Sequence, residues 1–303
     1  MDPRAIAMGV GFALMWASAF TTTRMIVTAA PPLTALVIRF SLSAAVAIPL
    51  ALAMGQRARL ERREWRAVVL FGICQNALYL GLNWVAMQRV EASAAAIIGS
   101  MMPLVVAFLG WALHGERLRP MAVLGLVAGI LGVVLIMGVR LRHGLDPLGL
   151  VLCLGGVVAL TFATLAARGA GGSRNMMMIV GLQMAVGAAV LLLPALLAER
   201  GRPVHWSPGL VVAFLYTVLA PGIGATWLWF RLVNRVGAVR AATFHFLSPI
   251  FGVAIAAVLL GERFGPLDVL GAVIVAVGIL LVQLARLPAA GDAAMRAPPR
   301  PGP

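Results

Sequence analysis

The sequence predicts an all-α integral membrane protein: ten transmembrane helices arranged as two inverted five-helix repeats. Three observations predict it: ten apolar runs of about 20 residues, a duplication at a constant offset of 146 residues, and an odd number of runs in each copy. Of 303 residues, 62% are hydrophobic and 11% charged, with a mean hydropathy of +1.00. A soluble domain is roughly 45–50% apolar, so a water-soluble fold is excluded, and ten spans leave no room for a soluble catalytic domain.

The runs lie at about residues 5–27, 33–54, 65–87, 92–113, 121–139, 148–168, 175–198, 208–233, 238–260 and 266–285, bounded by charge, Gly and Pro. Apolarity is continuous rather than alternating, which selects helices over barrel strands. Ala17-Ser18-Ala19 resembles a signal-peptidase site, but only Arg4 precedes it and the apolar run continues beyond, so the first run reads as an uncleaved span. Residues 287–303 are Pro-rich and aperiodic, which predicts a disordered cytoplasmic tail.

The formal charge is +14, and all the basic residues are Arg. Scattered between apolar runs, they read as topology signals rather than a nucleic-acid face. With the N-terminus inside, sixteen arginines fall on the cytoplasmic side and seven on the other, while Arg39 lies within the second span. That balance predicts a multi-pass protein with both termini in the cytoplasm. Cys74 and Cys153 lack any metal-ligand spacing, so neither a metal nor a cofactor is expected.

Residues 101–136 align with 247–282 without gaps. Pro103 matches Pro249, Gly115-Glu116-Arg117 matches Gly261-Glu262-Arg263, and Pro120 matches Pro266. Shared Leu and Val arise by chance in apolar segments, but a repeated P(x11)GER(x2)P frame does not arise so easily. The chain therefore divides into repeats at 1–145 and 146–286, followed by the tail at 287–303. Five spans per repeat force the second copy to enter the membrane from the opposite side. Inverted halves can exchange shapes and so open alternately to either face.

The doubled frame, the Gly-rich helix after it, the opening run Gly11 to Phe20, and Leu36 to Phe40 with Arg39 together resemble the drug/metabolite transporter superfamily, specifically its EamA-type members. The resemblance implies an inner-membrane carrier that exports or exchanges small metabolites, often amino acids, through a cavity between the halves. Small multidrug exporters of that superfamily rely on a membrane-embedded Glu. Here all ten acids fall in loops, tails or span ends, which argues against that mechanism.

Pro103 and Pro249, near the middles of the fourth and ninth runs, are read as kinks at the gates, and Pro221-Gly222 as a hinge in the eighth. Gly72, Asn76, Tyr79 and Asn83 recur at helical spacing and predict one polar stripe facing the bundle interior. Ser100 on the fourth run and His245 and Ser248 on the ninth define comparable faces, and Trp16 is a mid-span aromatic wall. Trp16, Asn76, Tyr79, Asn83, Ser100, His245 and Ser248 are therefore the candidate substrate-binding residues.

The other six Trp, Trp84 and Trp229 among them, read as an interfacial belt. Arg39 is read mainly as structural, snorkelling outward or binding carbonyls at neighbouring kinks, with a substrate carboxylate as its alternative partner. Glu116 and Glu262 are read as caps and inter-helix ties. Gly125, Gly129, Gly132, Gly271 and Gly278 mark the fifth and tenth spans as struts, with a homodimer face among the expectations.

Function then reads as secondary transport of a small solute through the bilayer, with no nucleic-acid partner. Without Lys there is no phosphate-binding GxxxxGK[ST] loop, so a gradient must supply the energy. An integral-membrane enzyme acting on lipid-linked substrates and a multidrug efflux carrier are the alternatives. The enzyme would need clustered His, Asp or Glu at the interface, and the four His are isolated.

Overall fold

Ten helices long and apolar enough to cross a membrane make up the computed structural model, which describes residues 2–57, 59–142, 146–166 and 175–286. They are α1 (Pro3–Val27), α2 (Pro32–Ala53), α3 (Arg62–Ala86), α4 (Ala92–Leu113), α5 (Pro120–Gly138), α6 (Pro147–Thr164), α7 (Met176–Ala198), α8 (Pro208–Val236), α9 (Arg240–Leu260) and α10 (Pro266–Ala285). No strand occurs among the described residues. The tail predicted at 287–303 lies outside them.

The helix ends follow local rules. Pro stands in the first turn of α1, α2, α8 and α10, where its missing N–H has no helical partner to lose. Asp2 accepts a hydrogen bond from Arg4 N at 3.0 Å, and the Ser207 hydroxyl accepts one from Leu210 N at 3.1 Å. The α4 and α9 spans both stop on a left-handed glycine, Gly115 with φ 64° and Gly261 with φ 66°. A side chain would be strained at either point, which explains the glycine in both GER corners.

Inversion of the halves is visible in two pairs of repeat mates. Where α5 crosses α10, a Cβ on Gly278 would stand 2.7 Å from Gly125 O, and one on Gly132 would stand 2.9 Å from Gly271 O. Early residues of α5 thus meet late residues of α10, so the helices run antiparallel. Likewise, Leu33 and Thr34 at the start of α2 meet Glu199 just past the end of α7, while Gln56 beyond the end of α2 bonds Met178 near the start of α7. Equivalent helices that run in opposite directions are related by an axis in the membrane plane. These two pairs of repeat mates join the halves and are called the frame; the other six, α1, α3, α4, α6, α8 and α9, are called the inner helices.

Four of the inner helices are interrupted, in matched places. A π-helical stretch occupies Gly72–Leu80 of α3 and Val218–Gly224 of α8, beginning 146 residues apart. In α4 a turn at Met101 separates two helical segments, and in α9 a 3-10 turn, Phe244–Leu247, precedes Ser248. Pro103 and Pro249 each stand second in the helical segment that resumes after the interruption, so the ladder is broken just before each proline, where its missing N–H has no helical partner to lose.

The α5–α10 crossing generates a test. Gly278→Ala places a methyl 2.6 Å from Gly129 N and 2.7 Å from Gly125 O, both immobile backbone atoms, and should destabilise by about 1–3 kcal/mol. Gly138→Ala meets nothing within 4 Å and should be neutral or stabilising by up to ~1 kcal/mol. Thermal unfolding in detergent separates the two.

Candidate functional site

Three groups of side chains carry the polar and aromatic chemistry. The first surrounds His245. The 3-10 turn of α9 seats its imidazole against α1 and α8, with ring centroids 5.2 Å from Phe12, 5.9 Å from Trp16 and 5.5 Å from Trp229. Phe12 and Trp16 are one turn apart on α1, and both present their rings nearly perpendicular to the imidazole, the edge-on arrangement that aromatic quadrupoles favour. Gly9 makes the approach feasible, since a Cβ there would collide with the Phe244 ring at 2.4 Å. Trp229 therefore belongs to this box and not to an interfacial belt.

The second group is the α3 stripe, which the structure splits. The wider π-helical turn rotates the residues out of 3.6-residue register. Gly72 and Asn76 face α7, where Asn76 Nδ2 donates to Gln183 O at 2.9 Å and the side chain packs on Gly187. Tyr79 and Asn83 face α4 and α6 instead: the Tyr79 hydroxyl lies beside Gly99, and Asn83 covers Gly156. Asn83 Nδ2 donates to Tyr79 O at 2.9 Å within its own helix. Ser100 similarly donates to Ile97 O at 2.6 Å. Asn76, Asn83 and Ser100 spend these donors on helix contacts, and the residues expected as one interior-facing stripe are all buried but face two different neighbours. Ser248 differs, since its hydroxyl is buried with no partner.

The third group was assembled only by the fold. Arg39 is 7% exposed, so it does not snorkel, and no hydrogen bond or ion pair engages it among the described residues. Both structural expectations for this residue are corrected. Its guanidinium carbon lies 5.5 Å from the Phe40 ring centroid and 5.7 Å from that of Trp84, a cation–π environment. Trp84 is fully buried, another departure from the belt. Ser43, one turn after Arg39, completes the group. That i, i+4 spacing of Arg and Ser was readable in the sequence, whereas the Trp84 contact was not.

At the face opposite the N-terminus, carboxylates from the second half hold helices of the first. Glu262 accepts from Ala92 N at 2.8 Å, from Ser93 N at 3.2 Å and from the Ser93 hydroxyl. Glu199 accepts from Leu33 N at 3.0 Å, Thr34 N at 2.7 Å and Thr34 Oγ1 at 2.8 Å. Each carboxylate sits over the positive end of a helix. Arg140, 7% exposed, pairs with Asp268 at 3.0 Å and with Glu91. A vestibule of about 730 Å³ opens on this face, lined by Arg24, Thr28, Glu91, Leu210, Glu262 and Arg263 among others. Elsewhere Glu116 folds back over Gly110 of its own helix.

Two segments of the chain, residues 3–138 and 147–284, match the EamA-like transporter family. The chain is 23% identical over 272 residues to the uncharacterized transporter YvbV of Bacillus subtilis, covering 89% of this chain and 88% of that one. It is 25% identical over 285 residues to the uncharacterized inner membrane transporter YedA of Escherichia coli, covering 92% and 90%. A solved protein structure superposes with a TM-score of 0.67 at 21% identity, over 94% of this chain and 99% of the other. At that identity the likeness concerns the fold.

The carboxylate geometry sets an expectation for stability. Asp268→Asn takes from a buried guanidinium one of its two carboxylates, leaving Glu91, and should cost about 1–3 kcal/mol. Asp146→Asn removes a partner of Arg89, which is 48% exposed, and should cost under ~1 kcal/mol. Unfolding temperatures of the two variants would show the difference directly.

Proposed function

The chain belongs to the EamA-like transporter family, and from that premise we propose that it moves a small metabolite, an amino acid or related compound, outward across the bacterial inner membrane by alternating access, with both termini in the cytoplasm. One observation carries the reading: the π-helical stretches of α3 and α8 begin at repeat-equivalent residues, Gly72 and Val218, inside a frame of antiparallel repeat mates. Interruptions at corresponding points of two inverted halves let each half adopt the shape of the other. When they exchange, a central solute faces the opposite side, while α5–α10 and α2–α7 keep the halves together.

The aromatic box around His245 is the surface offered to the solute. Phe12, Trp16 and Trp229 supply apolar and π contact, and the imidazole supplies a hydrogen-bonding nitrogen. Tyr79 and the unpartnered Ser248 hydroxyl extend this surface on α3 and α9, and Pro221-Gly222 supplies the hinge of α8. The α5 and α10 glycines face each other, which supports a strut role for that pair. Energy comes from a solute or ion gradient, in keeping with the absence of Lys.

Counterflow in liposomes with a panel of labelled amino acids should give saturable exchange of at least one member. His245→Ala, which deletes one hydrogen bond to a bound solute, and Trp16→Ala, which deletes one aromatic contact, should each reduce that flux by about tenfold, with unchanged gel-filtration behaviour. Normal flux in both would remove the box from the solute path. Topology has a separate test in a cysteine-free background: Arg117→Cys should react with an impermeant maleimide only from the cytoplasm, and Arg263→Cys only from outside. Labelling of both from one side would contradict the inverted arrangement.

A further inference from the structure

Two arginines are buried to the same degree, each 7% exposed, yet they are treated differently. Arg140 sits in a structural ion pair, its charge answered by Asp268 and Glu91. Arg39 has no carboxylate or carbonyl acceptor among the described residues, although guanidinium remains charged under any physiological condition. The groups around it make the imbalance larger. Arg39 Nε, Ser43 Oγ and Trp84 Nε1 are all fully buried without a hydrogen-bond partner. Two N–H donors and a hydroxyl around one guanidinium therefore go without a partner among the described residues, although the Thr217 carbonyl lies at the same point of α8. Buried donors are ordinarily paired, so a cluster of this composition is matched to an acceptor from elsewhere, and the charge favours an anion in that place.

Position ties the cluster to the moving parts. A Cβ on Gly222, within the π-helical stretch of α8, would lie 3.5 Å from Ser43 Oγ and 4.0 Å from Arg39 Nη2. Glycine at 222 thus brings the α8 backbone over the cluster without filling it. Trp84 lies on α3 just beyond the matching stretch, Gly72–Leu80. The donors accordingly come from α2 and α3 of one half and face the interrupted helix of the other.

We propose that Arg39, Ser43 and Trp84 form an anion-recognition site, closed by α8 at Gly222, that takes the carboxylate of the transported solute. The planar guanidinium offers parallel N–H donors spaced for the two oxygens of a carboxylate, and the hydroxyl and indole N–H reach the remaining lone pairs. A halide, a single atom, meets both arms of that fork only through bent hydrogen bonds and so binds it more weakly. The site itself stands on the donor geometry; the identity of its ligand as the transported solute rests on the transport reading above.

The test is thermal unfolding of the purified full chain in detergent at constant ionic strength, with sodium acetate, neutral acetamide or sodium chloride as the probe. Acetate at about ten times its dissociation constant should raise Tm by about 3 °C, and acetamide and chloride should not. Arg39→Met should abolish the acetate response while unfolding at the same or a higher temperature than the parent without acetate, because an unanswered buried charge has been removed. A purely structural Arg39 would instead lower Tm when replaced. Trp84→Phe, which keeps an aromatic ring but deletes the indole N–H, should weaken acetate about tenfold.

An acetate response that survives Arg39→Met, an equal response to chloride, or a lowered Tm in Arg39→Met would each overturn the site. Unfolding needs no transport, so an acetate response that depends on Arg39, alongside a flat counterflow panel, would count against the transport reading alone. Counterflow that ignores Arg39→Met would count against the carboxylate assignment alone.

Discussion

In lipid, apolar side chains gain nothing by leaving one hydrocarbon surface for another, so helices hold together through close packing and satisfied polar groups. In this protein that constraint is met most directly where glycine backbones touch, at Gly125 with Gly278 and Gly132 with Gly271. Each contact is the image of the other under exchange of the repeats. An interface built this way has little freedom to slide, since any Cβ at these points would strike backbone. The second frame pair works similarly, with Gly181 against Ala47 and Ile48 at the α2–α7 seam. A rigid frame of self-matching pairs leaves conformational freedom to the inner helices.

The inner helices are built for that freedom. Their breaks at Gly72–Leu80, Met101, Val218–Gly224 and Phe244–Leu247 loosen the regular hydrogen-bond ladder, which lipid-exposed backbone cannot do without penalty. Neighbouring hydroxyls answer part of the cost: Thr217 bonds Thr22 at 2.8 Å and Ser18 bonds Tyr216 at 2.7 Å, so the seam between α1 and α8 is polar. Polar residues are therefore concentrated beside the breaks and away from the lipid.

Charge distinguishes the two faces. Glu262 has a repeat mate in Glu116, but the residue equivalent to Glu199 at the same offset is Ala53. The Glu199 bonds to Leu33 and Thr34 thus have no symmetric counterpart, and the two halves, although duplicated, are not energetically equivalent. Within the first repeat, Arg140 and Arg39 show that equally buried charges are treated differently. One is built into the scaffold by carboxylates, and the other is held by aromatic rings with its donors unanswered.

Helix number, the repeat and its inversion were legible from sequence because they depend on run length, on a gap-free offset and on parity, all of which survive without coordinates. The Gly115 and Gly261 corners were likewise readable as equivalent. The candidate site was only half legible. Trp16, His245 and Ser248 could be singled out as polar or aromatic residues in apolar spans, but not their companions Phe12 and Trp229. The α3 stripe failed for a specific reason: a sequence read at 3.6 residues per turn cannot reveal a π-helical stretch, which turned Asn76 toward α7 and Asn83 toward α6. Trp84 and Arg39 were misjudged because burial depends on helix tilt and on what lies opposite. Sequence by itself determined the number of spans and their pairing across the two halves, since lipid dictates span length and duplication dictates symmetry. Only the tertiary structure decided which buried charges meet a partner, because partners come from helices far apart in the chain whose crossing positions no local pattern records.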